Sequence, residues 1–210
     1  MVVSDKIKAG AFGIVILAAG SSSRMGQPKQ LLEYNGKTLL QHAVDEALGT
    51  GIENIVMILG AHAGKIREVI KEDKIRFLQN QDHEEGMASG IRLGVHDLTK
   101  SRENMTEGIL IMLCDQPFVN SELLIRLIGK QIATGCRIVA STYKGIEAVP
   151  AVFHKSVFPE LINLKGDRGA RSIIKKYGKG TATVEFPKGH IDIDTLEDYR
   201  NLTTGNSSGR

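Results

Sequence analysis

The residues best suited to chemistry lie in a loop of small residues that follows an apolar run and ends in two cations. The apolar run is Ile14–Leu17, and the cations are Arg24 and Lys29. Small side chains let backbone N–H groups approach an anion closely, and cations beyond them neutralise its charge. This arrangement predicts a loop that holds a triphosphate. A glycine- and serine-rich surface turn is the alternative, which the apolar run before the loop disfavours.

Two common phosphate-binding loops are excluded by their spacing. A Walker A loop needs a glycine five residues before the glycine of Gly-Lys-Thr, and Leu31 stands at that distance from Gly36. A Rossmann fingerprint needs Gly-x-Gly-x-x-Gly after the strand, and Gly20 has no such partners. The loop is therefore of a different kind.

A second candidate group is the carboxylate of Asp115, which follows the apolar run Ile109–Leu113 with only Cys114 between them. Mg²⁺ prefers one or two carboxylates together with phosphate oxygens and water. We therefore predict that Asp115 binds a magnesium ion, although an aspartate that begins a turn before Pro117 is the alternative. We interpret Cys114 as a core residue and not as a nucleophile, because an adjacent acid raises the pKa of a thiol.

Hydrophobic periodicity indicates which elements position these groups. The predicted strands are Gly13–Leu17, Asn54–Leu59, Ile75–Leu78, Ile109–Leu113, Arg137–Ser141 and Ala148–Phe153. The predicted helices are Thr38–Leu48, Gly64–Lys71, Met87–Leu98 and Ser121–Ala133. Nearly continuous apolar strands indicate burial on both faces, so we expect a mostly parallel, doubly wound sheet in a three-layer α/β/α sandwich. Because such sheets bind ligands at the carboxyl ends of their strands, the small-residue loop and Asp115 should converge on one crevice.

Composition sets limits on the class of protein. The 210 residues include 27 basic and 24 acidic ones, a net charge of +3 that does not argue for nucleic-acid or membrane binding. We expect one domain over residues 1–202, with a polar and disordered tail over 203–210. No stretch approaches the roughly 20 apolar residues of a membrane span. With no export signal in view, we expect a cytoplasmic protein whose two cysteines are reduced.

The small-residue loop resembles the signature Leu-Ala-(Ala/Gly)-Gly-x-(Ser/Gly)-x-Arg-Met-Gly-x-x-Lys of the MobA-like nucleotidyltransferases. Every defined position matches, namely Leu17, Ala18, Ala19, Gly20, Ser22, Arg24, Met25, Gly26 and Lys29. Further matches extend to about residue 200, so the resemblance covers nearly the whole chain. It implies a Rossmann-like fold of the nucleotide-diphospho-sugar transferase type. The N-terminal half would then bind the nucleotide and the C-terminal half the acceptor.

The resemblance also implies roles for individual residues. Catalysis is assigned to Arg24, Lys29 and Asp115. The implied nucleotide contacts are Leu17, Ala18, Ala19, Gly20, Ser21, Ser22, Arg24, Lys29, Gly86 and Ser89. For Gly86 and Ser89, a simple capped helix start is the alternative.

The C-terminal half resembles the family at three further segments. Asp194, in Asp-Ile-Asp-Thr-Leu-Glu-Asp, is implied as a second metal ligand, with Asp192 as a weaker alternative. Leu196 replaces the usual proline there, and Thr195 has the pattern of a helix cap. The implied acceptor-binding residues are Pro150, Asp167, Gly169 and Arg171. For the last three of them, an ordinary helix-capping loop is the alternative.

Together these resemblances imply Mg²⁺-dependent transfer of CMP from CTP to the phosphate of molybdopterin, with release of pyrophosphate. Ala19 favours CTP, because the guanylyl-transferring members usually have glycine at that position. The alternatives are guanylyl transfer from GTP to the same cofactor, a sugar- or polyol-phosphate cytidylyltransferase, and a carrier that holds the cofactor for a molybdoenzyme with little turnover. A molybdoenzyme or its chaperone would be a further partner.

Overall fold

The computed structural model describes residues 11–20, 28–100 and 106–205. Its strands are β1 (Phe12–Ala18), β2 (Glu33–Tyr34), β3 (Lys37–Thr38), β4 (Asn54–Leu59), β5 (Arg76–Gln79), β6 (Gly108–Leu113), β7 (Ile138–Tyr143), β8 (Ile146–His154) and β9 (Thr181–Glu185). Its α-helices are α1 (Leu39–Leu48), α2 (Ala63–Val69), α3 (Met87–Thr99), α4 (Ser121–Thr134), α5 (Phe158–Ile162), α6 (Arg171–Tyr177) and α7 (Leu196–Gly205). Within these ranges, none of the helices has the length and apolar character needed to cross a bilayer.

Seven strands form one sheet in the order β5-β4-β1-β6-β8-β7-β9. All neighbouring pairs are parallel except the two that involve β8, which runs antiparallel to β6 and β7. The reason is local: β7 and β8 are joined by Lys144 and Gly145, both with positive φ, which is the geometry of a two-residue hairpin. The predicted, mostly parallel sheet is confirmed, with β8 as its exception.

Helices cover both faces of the sheet. Along β1, Ile14 and Ile16 pack on one face with α1, α2 and α4, whereas Val15 and Leu17 pack on the other with α3, α5 and α6. Because both faces are buried, the strand is apolar at every position instead of alternating with polar residues. The predicted three-layer α/β/α sandwich of one domain is therefore confirmed.

All six predicted strands and four predicted helices are present, with ends shifted by a few residues. Sequence periodicity missed β2, β3, β9, α5, α6 and α7, although the capping pattern at Thr195 marked the start of α7. In β9, a short strand at the sheet edge, Val184 alone is buried, so no apolar run marked it. Helix α7 also runs to Gly205, three residues into the predicted polar tail. There the hydroxyls of Thr203 and Thr204 donate hydrogen bonds back to the helix backbone, and Leu202 is buried.

Candidate active site

The carboxyl ends of β1, β4 and β6 meet at one edge of the sheet, where a cleft of about 840 Å³ opens. Leu17, at the end of β1, lines the cleft together with Ala19 and Gly20 from the signature loop. Ala18 is the last residue of the buried strand. The cleft confirms that the start of the loop and Asp115 share one crevice. The predicted contacts at Ser21, Ser22 and Arg24 lie outside the described residues and stay predictions.

Gln30 fixes the start of the signature loop, a role that the sequence analysis missed. Its side chain is only 1% exposed, and its amide Nε2 donates to the carbonyl oxygens of Ala18 at 3.0 Å and Gly20 at 2.9 Å. The signal available in the sequence was a glutamine directly before Leu31 and Leu32, because a polar side chain that is buried with apolar neighbours needs a hydrogen-bond partner. Gln30 thus ties the residues after the loop to the residues that begin it.

Gln30→Leu should therefore loosen the loop without changing the volume of the side chain greatly. Leaving the buried carbonyl of Ala18 without its donor costs about 1–3 kcal/mol, which we expect to appear in urea unfolding. The matched control is Gln41→Leu, since the side-chain amide of Gln41 donates to Asp45, on the same helix α1 and not in the signature loop. Equal stability of the Gln30 and Gln41 variants would show that the two loop carbonyls do not depend on Gln30.

The central feature of the site is one ammonium group held between two carboxylates. Lys29 Nζ lies 2.6 Å from Asp115 Oδ2 and 2.7 Å from Asp194 Oδ1. Lys29 and Asp115 are largely buried, at 13% and 14% side-chain exposure, whereas Asp194 is 58% exposed. Burial alone would lower the pKa of Lys29, but the charges and hydrogen bonds of Asp115 and Asp194 raise it well above its ordinary value. Lys29 is therefore a permanent cation here.

A short segment before α7 brings the second carboxylate to the site. The backbone N–H of Ile193 donates to the carbonyl of Asp115 at 3.0 Å, and the Ile193 side chain is fully buried. Asp198 accepts hydrogen bonds from the backbone and hydroxyl of Thr195, and Thr195 Oγ1 accepts from the Asp198 N–H. This reciprocal cap confirms the predicted helix start at Thr195, despite the leucine at position 196.

The carboxylates around Lys29 suit a divalent cation. Asp115 Oδ1 and Asp192 Oδ1 are both buried and have no hydrogen-bond partner among the described residues. Burial and the negative charge of Asp115 raise the pKa of Asp192. Buried carboxylate oxygens without a donor are stabilised by a cation, so the residues present fit a metal ion. In the described ranges, however, no group of three or more His, Cys, Asp or Glu side chains could hold a metal alone. Phosphate oxygens and water would have to complete the coordination, as is usual for Mg²⁺.

Cys114 lines the same cleft, but its thiol is held in the protonated form. Burial raises the pKa of its thiol, and the charge of Asp115 raises it further. A protonated thiol is a poor nucleophile. This agrees with its interpretation as a core residue.

The turn before α3 forms another wall of the cleft. Gly86 has φ of 112°, and a Cβ there would collide with the side chain and backbone of Asp167. Ser89 is 4% exposed, and its hydroxyl donates to the Gly86 carbonyl and accepts from the Asn80 amide. Gly86 therefore lines the cleft, whereas Ser89 holds the turn together. Their predicted contacts with a nucleotide stay predictions.

Of the four predicted acceptor residues, the structure places one in the cleft. Asp167 lines it next to Gly86. Pro150 is buried in β8, Gly169 packs against Met87, and Arg171 is exposed at the start of α6. Their predicted roles stay predictions.

A clasp of two charged residues, Glu85 and Arg92, joins the loop of Asp167 to α3. Arg92 donates to both carboxylate oxygens of Glu85, at 2.7 and 2.5 Å, and to the carbonyl of Leu164 at 2.8 Å. Glu85 accepts from the N–H of Gly166 at 3.2 Å. The hydrogen bonds from Arg92 and Gly166 lower the pKa of Glu85 to about 2, so the clasp stays charged at neutral pH. This pair was not predicted from the sequence.

We expect Arg92→Met to release the loop of residues 164–167 while the sheet stays intact. Hydrogen exchange of the Gly166 amide should become at least about tenfold faster, because its acceptor Glu85 loses its fixed position. Arg67→Met is the control, since Arg67 instead bonds the Phe77 carbonyl. Unchanged exchange at Gly166 would mean that Arg92 does not hold this loop.

The MobA-like NTP transferase domain matches residues 14–181. The chain belongs to this family. It is therefore a nucleotidyltransferase by family, and its fold class is the one that the signature loop implied.

The relatives differ in what they are named for. PucB, the purine catabolism protein of Bacillus subtilis, is 28% identical, with 88% of this chain and 92% of PucB covered. Nicotine blue oxidoreductase of Paenarthrobacter nicotinovorans is 30% identical, with coverage of 77% and 80%. A probable molybdenum cofactor guanylyltransferase of Methanosarcina mazei is 26% identical, with coverage of 90% and 88%.

A solved structure also matches over nearly its full length. Rv0371c of Mycobacterium tuberculosis, crystallised in complex with manganese, has a TM-score of 0.76 and 28% identity, with coverage of 92% of this chain and 98% of that one. A divalent cation has thus been observed with a structural neighbour of this chain.

Proposed function

We propose that this protein transfers CMP from CTP to the phosphate of molybdopterin, with Mg²⁺ bound and pyrophosphate released. The observation that carries the proposal is the meeting of Lys29 with Asp115 and Asp194 beside the start of the signature loop. A cation and two carboxylates at the mouth of a phosphate-binding loop are the parts that nucleotidyl transfer requires. The relative named as a molybdenum cofactor guanylyltransferase supports the choice of acceptor.

The reaction asks the protein mainly for positioning and charge neutralisation. An oxygen of the acceptor phosphate bonds the α-phosphorus of CTP, and the bond from that phosphorus to the β-phosphate oxygen breaks. Since the acceptor is already ionised, no general base is required. Backbone N–H groups from Ala19 to Ser22 would hold the phosphates, with Arg24 at the β- and γ-phosphates and Lys29 at the α-phosphate.

Asp115 and Asp194 would hold the metal, with Asp192 close to it. When bound, Mg²⁺ supplies positive charge against the phosphates that carry the developing negative charge. The acceptor would approach from the side of Asp167, with Pro150, Gly169 and Arg171 in the surrounding loops.

CTP is proposed over GTP because of the methyl group at Ala19, which lines the cleft. One methyl group is worth only about 1–3 kcal/mol of discrimination. Guanylyl transfer is the second candidate, favoured by the name of the Methanosarcina mazei relative.

The decisive experiment measures pyrophosphate release with CTP or GTP and molybdopterin, with and without Mg²⁺. We expect release with CTP, dependent on both Mg²⁺ and the acceptor. Faster release with GTP than with CTP would show that GTP is the nucleotide substrate. Release with methylerythritol phosphate or a sugar phosphate, and not with molybdopterin, would show that the proposed acceptor is wrong. Binding of molybdopterin with no release under any condition would indicate a cofactor carrier.

A further inference from the structure

The ammonium of Lys29 lies where the two proposed metal-binding carboxylates face each other. Its Nζ contacts Asp115 Oδ2 at 2.6 Å and Asp194 Oδ1 at 2.7 Å. Both oxygens touch the same nitrogen, so they can be no farther apart than these two hydrogen bonds laid end to end. The three residues come from separate segments of the chain. Because the ammonium of Lys29 hydrogen-bonds both carboxylates, it lies between the two acids.

A divalent cation shared by these two oxygens would compete with the ammonium for the same place. Mg²⁺ binds carboxylate oxygen at about 2.0–2.1 Å, closer than an ammonium does. An ion bound to both oxygens would be at or near contact with Nζ, and the two positive charges would repel each other strongly in this largely buried position. Ammonium and metal are thus mutually exclusive between Asp115 and Asp194.

We propose that Lys29 occupies the divalent-cation position in the nucleotide-free protein and leaves it only when a triphosphate offers the ammonium another partner. The inference rests on the proposed function for the identity of that triphosphate. It makes metal binding conditional: the protein binds Mg²⁺ together with the nucleotide and not before it. Lys29 then has two successive sets of partners, the carboxylates first and the phosphates afterwards.

The arrangement also explains how two carboxylates can lie so close together. Asp115 is largely buried, and a second carboxylate close to it would be costly without a cation. Lys29 supplies that cation when neither metal nor nucleotide is bound. Asp115 Oδ1 and Asp192 Oδ1, which have no hydrogen-bond partner among the described residues, lie outside the two lysine contacts and would be further ligands for a cation that replaces the lysine.

The test is the affinity for Mn²⁺ alone, measured by electron paramagnetic resonance of the free ion, with no nucleotide present. We expect Lys29→Met to bind Mn²⁺ at least about tenfold more tightly than the unmodified protein, because a competing charge has been removed. Lys29→Arg keeps the positive charge and should bind as weakly as the unmodified protein. Lys37→Met is the remote control, since Lys37 Nζ makes a 2.6 Å contact with Asp45 on the surface. Lys29→Gln provides a second neutral variant if the methionine variant does not fold, as judged by circular dichroism.

Adding Asp194→Asn to the Lys29→Met variant should cancel the gain in Mn²⁺ affinity, which places the gain at this pair. Unchanged Mn²⁺ affinity in both neutral variants would overturn the inference, as would equal gains in the Lys29→Met and Lys37→Met proteins. None of these measurements uses a nucleotide or an acceptor. Absence of pyrophosphate release would therefore refute the proposed function while leaving the metal result readable, and the reverse also holds.

Discussion

Asp115→Asn is expected to lower the rate of pyrophosphate release by a factor on the order of 10²–10³ or more, because it removes a charged group at the reacting phosphates. The substitution keeps the size of the side chain but removes the negative charge. Asp115 contacts Lys29 through Oδ2, and its other oxygen is buried without a partner among the described residues. An asparagine is neutral, so it would offer no negative charge to a metal ion or to the ammonium of Lys29.

The measurement is a continuous pyrophosphate assay at saturating nucleotide over a range of Mg²⁺ concentrations, with circular dichroism to show that the variant folds. Asp45→Asn is the matched control. Asp45 lies on helix α1, away from the cleft, and accepts a 2.6 Å hydrogen bond from Lys37 Nζ. Near-normal turnover of the Asp115 variant would remove this residue from the mechanism.

Lys29→Ala should lower kcat more than it raises KM, by a factor on the order of 10²–10³, if the ammonium neutralises charge that builds up at the α-phosphate. A group that bound the ground state and the transition state equally would change only KM. Lys29 lies largely buried between two acids, so its charge acts in a weakly screened environment. Lys37→Ala removes an exposed lysine with a contact of the same length and should leave both constants unchanged.

The pH dependence of kcat/KM, which reports the pKa values of the enzyme without substrate, provides a second measure of Lys29. Its pKa lies above the ordinary value of 10.5, because Asp115 and Asp194 favour the charged form more than burial disfavours it. A group with a raised pKa is charged at every pH below that value. We therefore expect no loss of rate from deprotonation of Lys29 between pH 7 and about 10. In the measurement on Lys29→Ala described above, an effect on KM alone would show that the lysine only binds substrate.

The elements of the fold could be predicted because their signals are local. In β1 and β6, burial on both faces produces unbroken apolar runs, and in α3 and α4 the apolar residues recur at helical spacing. Strand β9 could not be found in this way, because an edge strand with one buried side chain has no such run. The reversal of β8 depends on two residues with positive φ, a signal that periodicity does not contain.

The candidate site could be predicted where unusual residue types follow a buried strand. Small residues after a buried strand and an acid after another identified the loop and Asp115, and the family match supports the resemblance that they carry. The roles proposed for Ser21, Ser22 and Arg24 remain predictions from the sequence. Gln30 and the pair of Glu85 and Arg92 were missed, because their residue types are common and their partners lie elsewhere in the chain.

The sequence by itself determined most of the strands and helices, the kind of loop and the family, because these depend on neighbouring residues. Only the tertiary structure decided that Lys29 contacts acids 86 and 165 positions away along the chain. Such contacts depend on which strands are adjacent and on where the segment before α7 packs. Those choices follow from the packing of the whole domain, and no local pattern of residues contains them.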